Sequence, residues 1–215
     1  WTGPLGGGPT DAGNPLGGKG VGKILIKPGS PNTIYAATTT ALRGMSESCC
    51  VGVTRPVPGA AKWGLYKSTN GGATWNFIHN GSVNAADCDG SLLEFNNGAV
   101  CSPRGVRSLA FDPSNSEILY AGSYARGTWR SPDGGATWTQ IQPSLNSTLI
   151  QTRPNLAVTK LANGKTRMYI YEGNAGQNYS RLFRSDDVAT GVPTFADLTS
   201  PDPANPGYAT FNQCT

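Results

Sequence analysis

Short runs of alternating apolar and polar residues cover much of this chain, and turn residues separate them. The run GKILIKP at residues 22–28 is followed by a turn and then by NTIYAAT at residues 32–38. A period of two places successive side chains on opposite faces of a β-strand. Glycine and proline, at 29 and 16 residues, punctuate the chain from end to end. The pattern predicts an all-β protein.

The same succession of strands occurs twice, and each copy contains nearly the same octet. STNGGATW occupies residues 68–75 and SPDGGATW occupies residues 131–138. In each copy two strands joined by a Pro-containing turn lead to a short third strand, and the octet leads into a fourth. A third, more divergent copy begins near residue 153. The sequence therefore predicts three repeated units of four strands.

The residues of the octet suit a tight turn. Its Asp or Asn, together with Ser and Thr, can hydrogen-bond to the backbone, and its glycines permit positive φ. The tryptophan is expected to fold under the turn and bury its ring. We assign this structural turn to Ser68, Asn70, Gly72, Thr74, Trp75, Ser131, Asp133, Gly135, Thr137, Trp138 and, in the divergent third copy, Ser185 and Asp187.

The spacing Ser-x-Asp/Asn-x-Gly-x-Thr-Trp resembles the Asp-box, also called the bacterial neuraminidase repeat, and the likeness extends over roughly residues 20–198. That family of β-propellers includes sialidases, xyloglucan-degrading glycoside hydrolases and sortilin-type receptors. The resemblance implies a propeller segment of about three four-stranded blades. Because a closed ring needs about four to eight blades, we expect this chain to be part of a larger propeller, completed by a second polypeptide or by copies of itself.

The expected domain organisation follows the repeat. Residues 1–19 form an N-terminal extended segment, and residues 20–104 form a first blade with two cysteine-bearing insertions. Residues 105–152 form the second blade, and residues 153–215 form the third blade with a tail toward the remainder of the ring. In a propeller, loops between strands two and three and links between blades lie on the face opposite the octets. Both insertions belong to these connections, so we expect a binding surface there.

The composition limits the classes of partner and ligand that we expect this protein to bind. The net charge is +4, but only 14% of residues are charged and the basic ones are scattered, which argues against nucleic-acid binding. No apolar stretch is long enough to span a membrane. With one histidine, His79, and no Cys-x-x-Cys pair, neither a metal site nor a cofactor is expected. We expect His79 to lie on the surface.

The cysteines and glycosylation sequons indicate a secreted, extracellular or periplasmic protein. A Cys88–Cys101 disulfide is favoured, with Cys49 or Cys50 joined to another partner. A bond between Cys49 and Cys50, or from that pair to Cys88 and Cys101 together, stays open. Cys214 has no clear mate in this chain. The possible glycosylation sites are Asn80, Asn146 and Asn178.

The resemblance implies glycoside hydrolysis, which needs a pair of carboxyl groups or a tyrosine nucleophile. Sialidases carry an Arg-Ile-Pro stretch, and the nearest match here is Arg55 followed directly by Pro56. Xyloglucan hydrolases carry a catalytic Asp just after the second strand of their first blade, where this chain reads YAATTT at residues 35–40. We therefore favour a module that binds a glycan or an extracellular protein. The alternative is a glycosidase-like hydrolase of sialidase or endoglucanase type whose carboxylates lie partly on other blades.

Candidate site residues come from the face opposite the octets. The candidate acids are Glu172, Asp87 and Asp89, and the candidate binding residues are Arg55, Tyr124 and Arg126. Glu172 ends a predicted strand, where a solvated loop carboxylate is the expected structural role. Arg126 is expected to extend along Tyr124 with its charge in water. Asp112 and Asp133 are expected to hold turns.

Overall fold

The structure, a computed structural model, describes residues 16, 19–40, 63–81, 104–145, 152–173 and 180–199. Within these residues the chain forms β-strands and turns and no helix. The strands are β1 (Lys19–Lys27), β2 (Ser30–Thr40), β3 (Leu65–Ser68), β4 (Asn76–His79), β5 (Val106–Phe111), β6 (Leu119–Ser123), β7 (Gly127–Ser131), β8 (Thr139–Gln142), β9 (Arg153–Lys160), β10 (Thr166–Gly173), β11 (Ser180–Ser185) and β12 (Ala196–Asp197).

These strands form three four-stranded sheets, each made of four consecutive strands. The orders are β1-β2-β3-β4, β5-β6-β7-β8 and β9-β10-β11-β12, so each strand lies beside its neighbour in the sequence. The pairing is antiparallel, as expected for strands joined by short connections. The prediction of an all-β chain with three four-stranded units is confirmed. The domain boundaries proposed from the sequence stay predictions.

The three sheets share one register between their second and third strands. The octet serines Ser68 and Ser131 pair with Ile34 and Leu119, and Ser185 of the third copy pairs with Met168. Register decides which side chains reach each face of a sheet. The three pairs therefore mark equivalent positions, from which the other residues of the sheets can be aligned.

The chain divides into two compact units, Trp1–Arg107 and Ser108–Thr215. The first contains the sheet β1–β4, whose buried side chains include Tyr35, Leu65 and Tyr66. The Tyr66 ring meets the Phe77 ring edge-on, with 5.2 Å between their centroids. Thr38 Oγ1 both donates to the Gly64 carbonyl and accepts from the Gly64 N–H, at 2.9 Å each, and this closes the start of β3 onto β2.

The second unit holds β6–β12 and most of β5, and its two sheets pack together. Strand β6 lies against β9, and Ser108 Oγ donates to the Pro154 carbonyl at 2.8 Å. The shared core consists of Tyr120, Ile141, Met168, Ile170, Phe183 and Val188. Leu156 and Val158 of β9 pack against this core. The second and third sheets therefore share one hydrophobic core.

Candidate functional site

The second octet forms a turn held by its own side chains. Ser131 Oγ donates to Asp133 Oδ1 at 2.8 Å and accepts from the Gly135 N–H at 2.8 Å. Asp133 also accepts from the backbone N–H and the hydroxyl of Thr137, at 2.8 and 2.6 Å. Desolvation acts to raise the pKa of Asp133, but the hydrogen bonds from Thr137 and Ser131 outweigh it and lower the pKa. The expectation that Asp133 holds a turn is confirmed.

The first octet forms the same turn with an amide in place of the carboxylate. Asn70 Oδ1 accepts from Ser68 Oγ and from the Thr74 N–H, at 2.9 Å each. Ser68 Oγ accepts from the Gly72 N–H at 2.9 Å. Trp75 is half-buried, so its ring is less buried than the sequence predicted. These local hydrogen bonds leave the octet side chains engaged in the turn.

The third copy of the octet is held differently. Asp187 forms an ion pair with Lys165 at 2.8 Å, and Asp186 accepts from Arg167 Nε and Nη2 at 2.7 and 2.9 Å. The hydrogen bond from Arg167 holds the pKa of Asp186 below its usual value. An open groove of about 570 Å³ runs beside these residues and past Val192. The carboxylates of Asp186 and Asp187 beside this groove are therefore already paired with basic side chains.

On the opposite side of the sheets, Glu172 is the penultimate residue of β10 and has 0% exposure. Ser144 Oγ donates to its Oε1 at 2.5 Å, and the Leu145 N–H donates to its Oε2 at 3.1 Å. Burial raises the pKa of Glu172, although both hydrogen bonds act to lower it. The expectation of a solvated carboxylate is wrong, because the link that follows β8 bonds to both carboxylate oxygens. Glu172 thus anchors a loop on the face predicted to bind.

The loop between β6 and β7 lies on the same face and is also buried. Ala125 has a φ of +56°, in the left-handed region, and its N–H donates to the Thr152 carbonyl at 2.9 Å. Arg126 is only 7% exposed, and its Nη1 donates to the Ala125 carbonyl at 2.8 Å. Burial lowers the pKa of Arg126. The expectation that this arginine keeps its charge in water is wrong, and Tyr124 is likewise buried.

Asp112 joins the two sheets of the second unit, which the sequence did not indicate. Its Oδ1 accepts from the Ser114 N–H at 2.8 Å, which confirms the expected turn. Its Oδ2 accepts from the Tyr120 hydroxyl at 2.8 Å and from the Thr166 hydroxyl at 2.6 Å. Burial, followed by the hydrogen bond to Asp112, raises the pKa of Tyr120. The sequence does show a tyrosine at this position in each repeat. It shows nothing that links Asp112 to Thr166, which lies 54 residues further along the chain.

Two further predicted residues, His79 and Asn80, are buried, and the others lie outside the described part of the chain. His79 is 2% exposed, and burial lowers its pKa to about 3, so the surface position expected for it is wrong. Asn80 is buried as well, so a glycan there would require its side chain to turn outward. The residues that lie outside the described part of the chain are Arg55, Asp87, Asp89, Cys49, Cys50, Cys88, Cys101, Cys214, Asn146 and Asn178.

The described residues limit what the face can do chemically. Among them, no group of three or more His, Cys, Asp and Glu side chains is placed to hold a metal ion. Nor does the described part of the chain contain a helix long and apolar enough to cross a membrane. On the face opposite the octets, the described carboxylate of Glu172 and the guanidinium of Arg126 are both buried. Glu172 hydrogen-bonds to the link that follows β8, and Arg126 hydrogen-bonds within the β6–β7 loop.

Three consecutive four-stranded sheets in one repeated register define the chain as a segment of a β-propeller. A solved structure of an ancestral GH74 enzyme matches it with a TM-score of 0.50 and 20% identity, over 83% of this chain and 20% of that one. This likeness supports the propeller fold. No protein-family model matches the sequence.

Curated relatives of the chain are xyloglucanases. The sequence is 29% identical over 184 residues to xyloglucanase Xgh74A of Acetivibrio thermocellus, covering 78% of this chain and 19% of that protein. It is 30% identical over 124 residues to a xyloglucanase of Hypocrea jecorina, covering 57% of this chain and 12% of that protein. The chain thus spans less than one fifth of the length of either relative.

Proposed function

We propose that this chain is a propeller segment of a secreted glycoside hydrolase that acts on xyloglucan. The observation that carries the proposal is the similarity to xyloglucanases, which extends over 78% of the chain in one relative. This favours the hydrolase alternative over a module that only binds. The complete enzyme would include polypeptide beyond this segment, because the chain corresponds to a small part of each relative.

The two octets are Asp-boxes in this proposal. Their support is the shared turn, in which the Ser hydroxyl and the Asp or Asn side chain satisfy the same backbone N–H groups in both copies. Because these side chains hold the backbone, they are structural, and substrate is expected on the opposite face. Glu172 and Arg126 then act beneath that surface, by fixing the loops on which sugar-binding groups stand.

The catalytic carboxyl groups are proposed to lie outside the described residues. Glycosidases commonly use two carboxyl groups about 5–10 Å apart. Asp112 and Asp133 instead hold turns, and both oxygens of Glu172 accept hydrogen bonds from the β8–β9 link. Asp87 and Asp89 of the second insertion are therefore the candidates that this chain supplies, with a partner acid on another blade.

A second candidate function is a glycan-binding module without catalysis. The observation in its favour is that Glu172, the described carboxylate of the opposite face, is buried and accepts hydrogen bonds at both oxygens. In that case the face would recognise xyloglucan chains through hydrogen bonds and apolar contact alone. Cleavage of the bound xyloglucan distinguishes the two candidate functions.

The test measures binding and cleavage on the complete native protein that contains this segment, because the proposed partner acid lies on another blade. Affinity electrophoresis in gels that contain xyloglucan measures binding, and release of reducing ends measures hydrolysis. We expect xyloglucan to retard the protein, while polygalacturonate, an anionic control, does not. Asp87→Asn and Asp89→Asn should keep the retardation and lose the release of reducing ends. A protein that xyloglucan does not retard would refute both candidates, and retardation without release in the unsubstituted native protein would favour the binding module.

A further inference from the structure

Asn-Gly dipeptides occur four times in this chain, at Asn70, Asn80, Asn97 and Asn163. In such a pair the backbone nitrogen of the glycine can attack the asparagine Cγ, which forms a succinimide ring and releases ammonia. Water then opens the ring to aspartate or isoaspartate. Glycine favours the attack because it has no Cβ to hinder the backbone. Asn97 lies outside the described residues, and the structure distinguishes the other three.

Asn70 is exposed, but hydrogen bonds at both ends of its amide hold it in the first octet. Its Oδ1 accepts from Ser68 Oγ and from the Thr74 N–H, at 2.9 Å each. Its Nδ2, the group that would leave as ammonia, donates to Thr74 Oγ1 at 2.9 Å. Ring closure requires these bonds to open first, so the octet turn protects the asparagine that it contains.

Asn80 is protected by burial, since it is only 1% exposed. Ring closure removes a proton from the glycine N–H and ring opening adds water, so both steps need solvent at the side chain. A buried side chain also cannot swing toward the next peptide without displacing the atoms packed around it. Deamidation at Asn80 therefore requires local unfolding.

Asn163 has neither form of protection. It is exposed and lies in the tight turn between β9 and β10, where the following residue, Gly164, has a φ of +84°. Its Oδ1 accepts one hydrogen bond, from the Lys165 N–H at 3.0 Å. Within the described part of the chain, no hydrogen bond holds its Nδ2. The leaving group is therefore open to water.

The attacking nitrogen does not distinguish Asn163 from Asn70. The Gly164 N–H donates to the Leu161 carbonyl at 3.0 Å, and the Gly71 N–H donates to the Asn32 carbonyl at 2.9 Å. Both exposed sites thus have a glycine nitrogen that is engaged to the same degree. The difference between them lies in how the asparagine side chain is held.

We propose that Asn163 is the site at which the folded protein deamidates, while Asn70 and Asn80 are protected. The product places a new carboxylate beside Lys165, whose ammonium group already pairs with Asp187 at 2.8 Å. All three side chains line the open groove beside the third octet copy, so the groove becomes more acidic as the protein ages. This modification does not depend on the proposed activity.

The test incubates the native protein in mildly alkaline buffer, folded and in denaturant, and follows each asparagine by peptide mass spectrometry. In the folded protein Asn163 should deamidate about tenfold faster or more than Asn70 and Asn80, because hydrogen bonds or packing must open at those two sites. In denaturant the three rates should become similar. Equal rates in the folded protein, or faster loss at Asn70 or Asn80, would overturn the proposal. A preference for Asn163 that persists unchanged in denaturant would also overturn it, since the sequence rather than the fold would be its cause.

Thr74→Val tests the protection of Asn70 directly. The variant keeps the backbone N–H and the size of the side chain but removes the hydroxyl that accepts from Asn70 Nδ2. Deamidation of folded Asn70 should become about two- to tenfold faster, the effect of one lost hydrogen bond, and the rate at Asn163 should not change. Thr137→Val, the equivalent change in the second octet, is the matched control and should leave the Asn70 rate unchanged. Thermal unfolding checks that both variants fold, and an unchanged Asn70 rate in folded Thr74→Val would overturn the protective role of the turn.

Discussion

At the scale of single residues, Asp133 is the most connected side chain of the second octet. Replacing it with alanine removes the acceptor for Ser131 and for both donors of Thr137. We expect Asp133→Ala to lower the free energy of unfolding by about 1–3 kcal/mol, because donors in the turn lose their partner. Denaturant unfolding of the variant and the native chain measures the difference.

The first octet supplies the control for this substitution. Asn70 fills the equivalent position and its Oδ1 accepts the same two hydrogen bonds, from Ser68 and Thr74. Asp133→Asn should therefore cost less than the alanine variant, by about 1 kcal/mol or more. Equal losses for the two variants would show that the carboxylate charge, rather than the shared hydrogen-bond pattern, holds the turn.

At the scale of secondary-structure elements, Asp112 joins strands of two sheets. Its Oδ2 accepts hydrogen bonds from Tyr120 of β6 and from Thr166 at the start of β10. We expect Tyr120→Phe and Thr166→Val each to cost about 1.5–3 kcal/mol, because each removes a hydrogen bond to a buried acidic group. A double-mutant cycle from denaturant unfolding should give a coupling energy of about 0.5–3 kcal/mol.

Tyr171→Phe is the matched control for the tyrosine substitution. The Tyr171 hydroxyl donates to Ser180 Oγ at 3.1 Å, a hydrogen bond that lies within the third sheet. Its loss should cost no more than about 1 kcal/mol, the usual contribution of a neutral hydrogen bond. If the effects of Tyr120→Phe and Thr166→Val are additive, the two donors act independently and Asp112 does not couple the sheets.

At the scale of the whole molecule, stability should depend on pH through two buried groups with opposite signs. Burial lowers the pKa of His79 from 6.5 to about 3. As pH falls below 6.5 the unfolded chain therefore binds a proton that the folded chain excludes, and stability is lost by at most about 1.4 kcal/mol for each pH unit. Above 6.5 this contribution is fully present. His79→Gln should remove the loss.

Glu172 acts in the other direction. Burial raises its pKa above 4.5, so its contribution to stability is fully present below that pH and is lost as pH rises through the raised value. Glu172→Gln should lack this decline while keeping a side chain of the same size. The free energies of unfolding of both variants and the native chain, measured by denaturant titration across pH, test the two signs. A Glu172→Gln profile parallel to that of the native chain would contradict the predicted role of burial.

The sequence by itself determined the repeated architecture, because its signals are local. Alternation along a strand records which side chains face each side of a sheet, and turn residues mark where strands end. The octets were equally readable, since the hydrogen bonds of Ser131 and Asp133 close within four residues. For the same reason the similarity to propeller proteins pointed to the fold before any side chain was placed.

Only the tertiary structure decided which polar groups are buried. Glu172 meets Ser144 across 28 residues and Asp112 meets Thr166 across 54, distances at which no local pattern records a partner. His79 and the charged end of Arg126 were expected in water, yet both residues are buried. Burial depends on which distant segments pack over a residue, and in a repeated fold the register of whole sheets sets that packing.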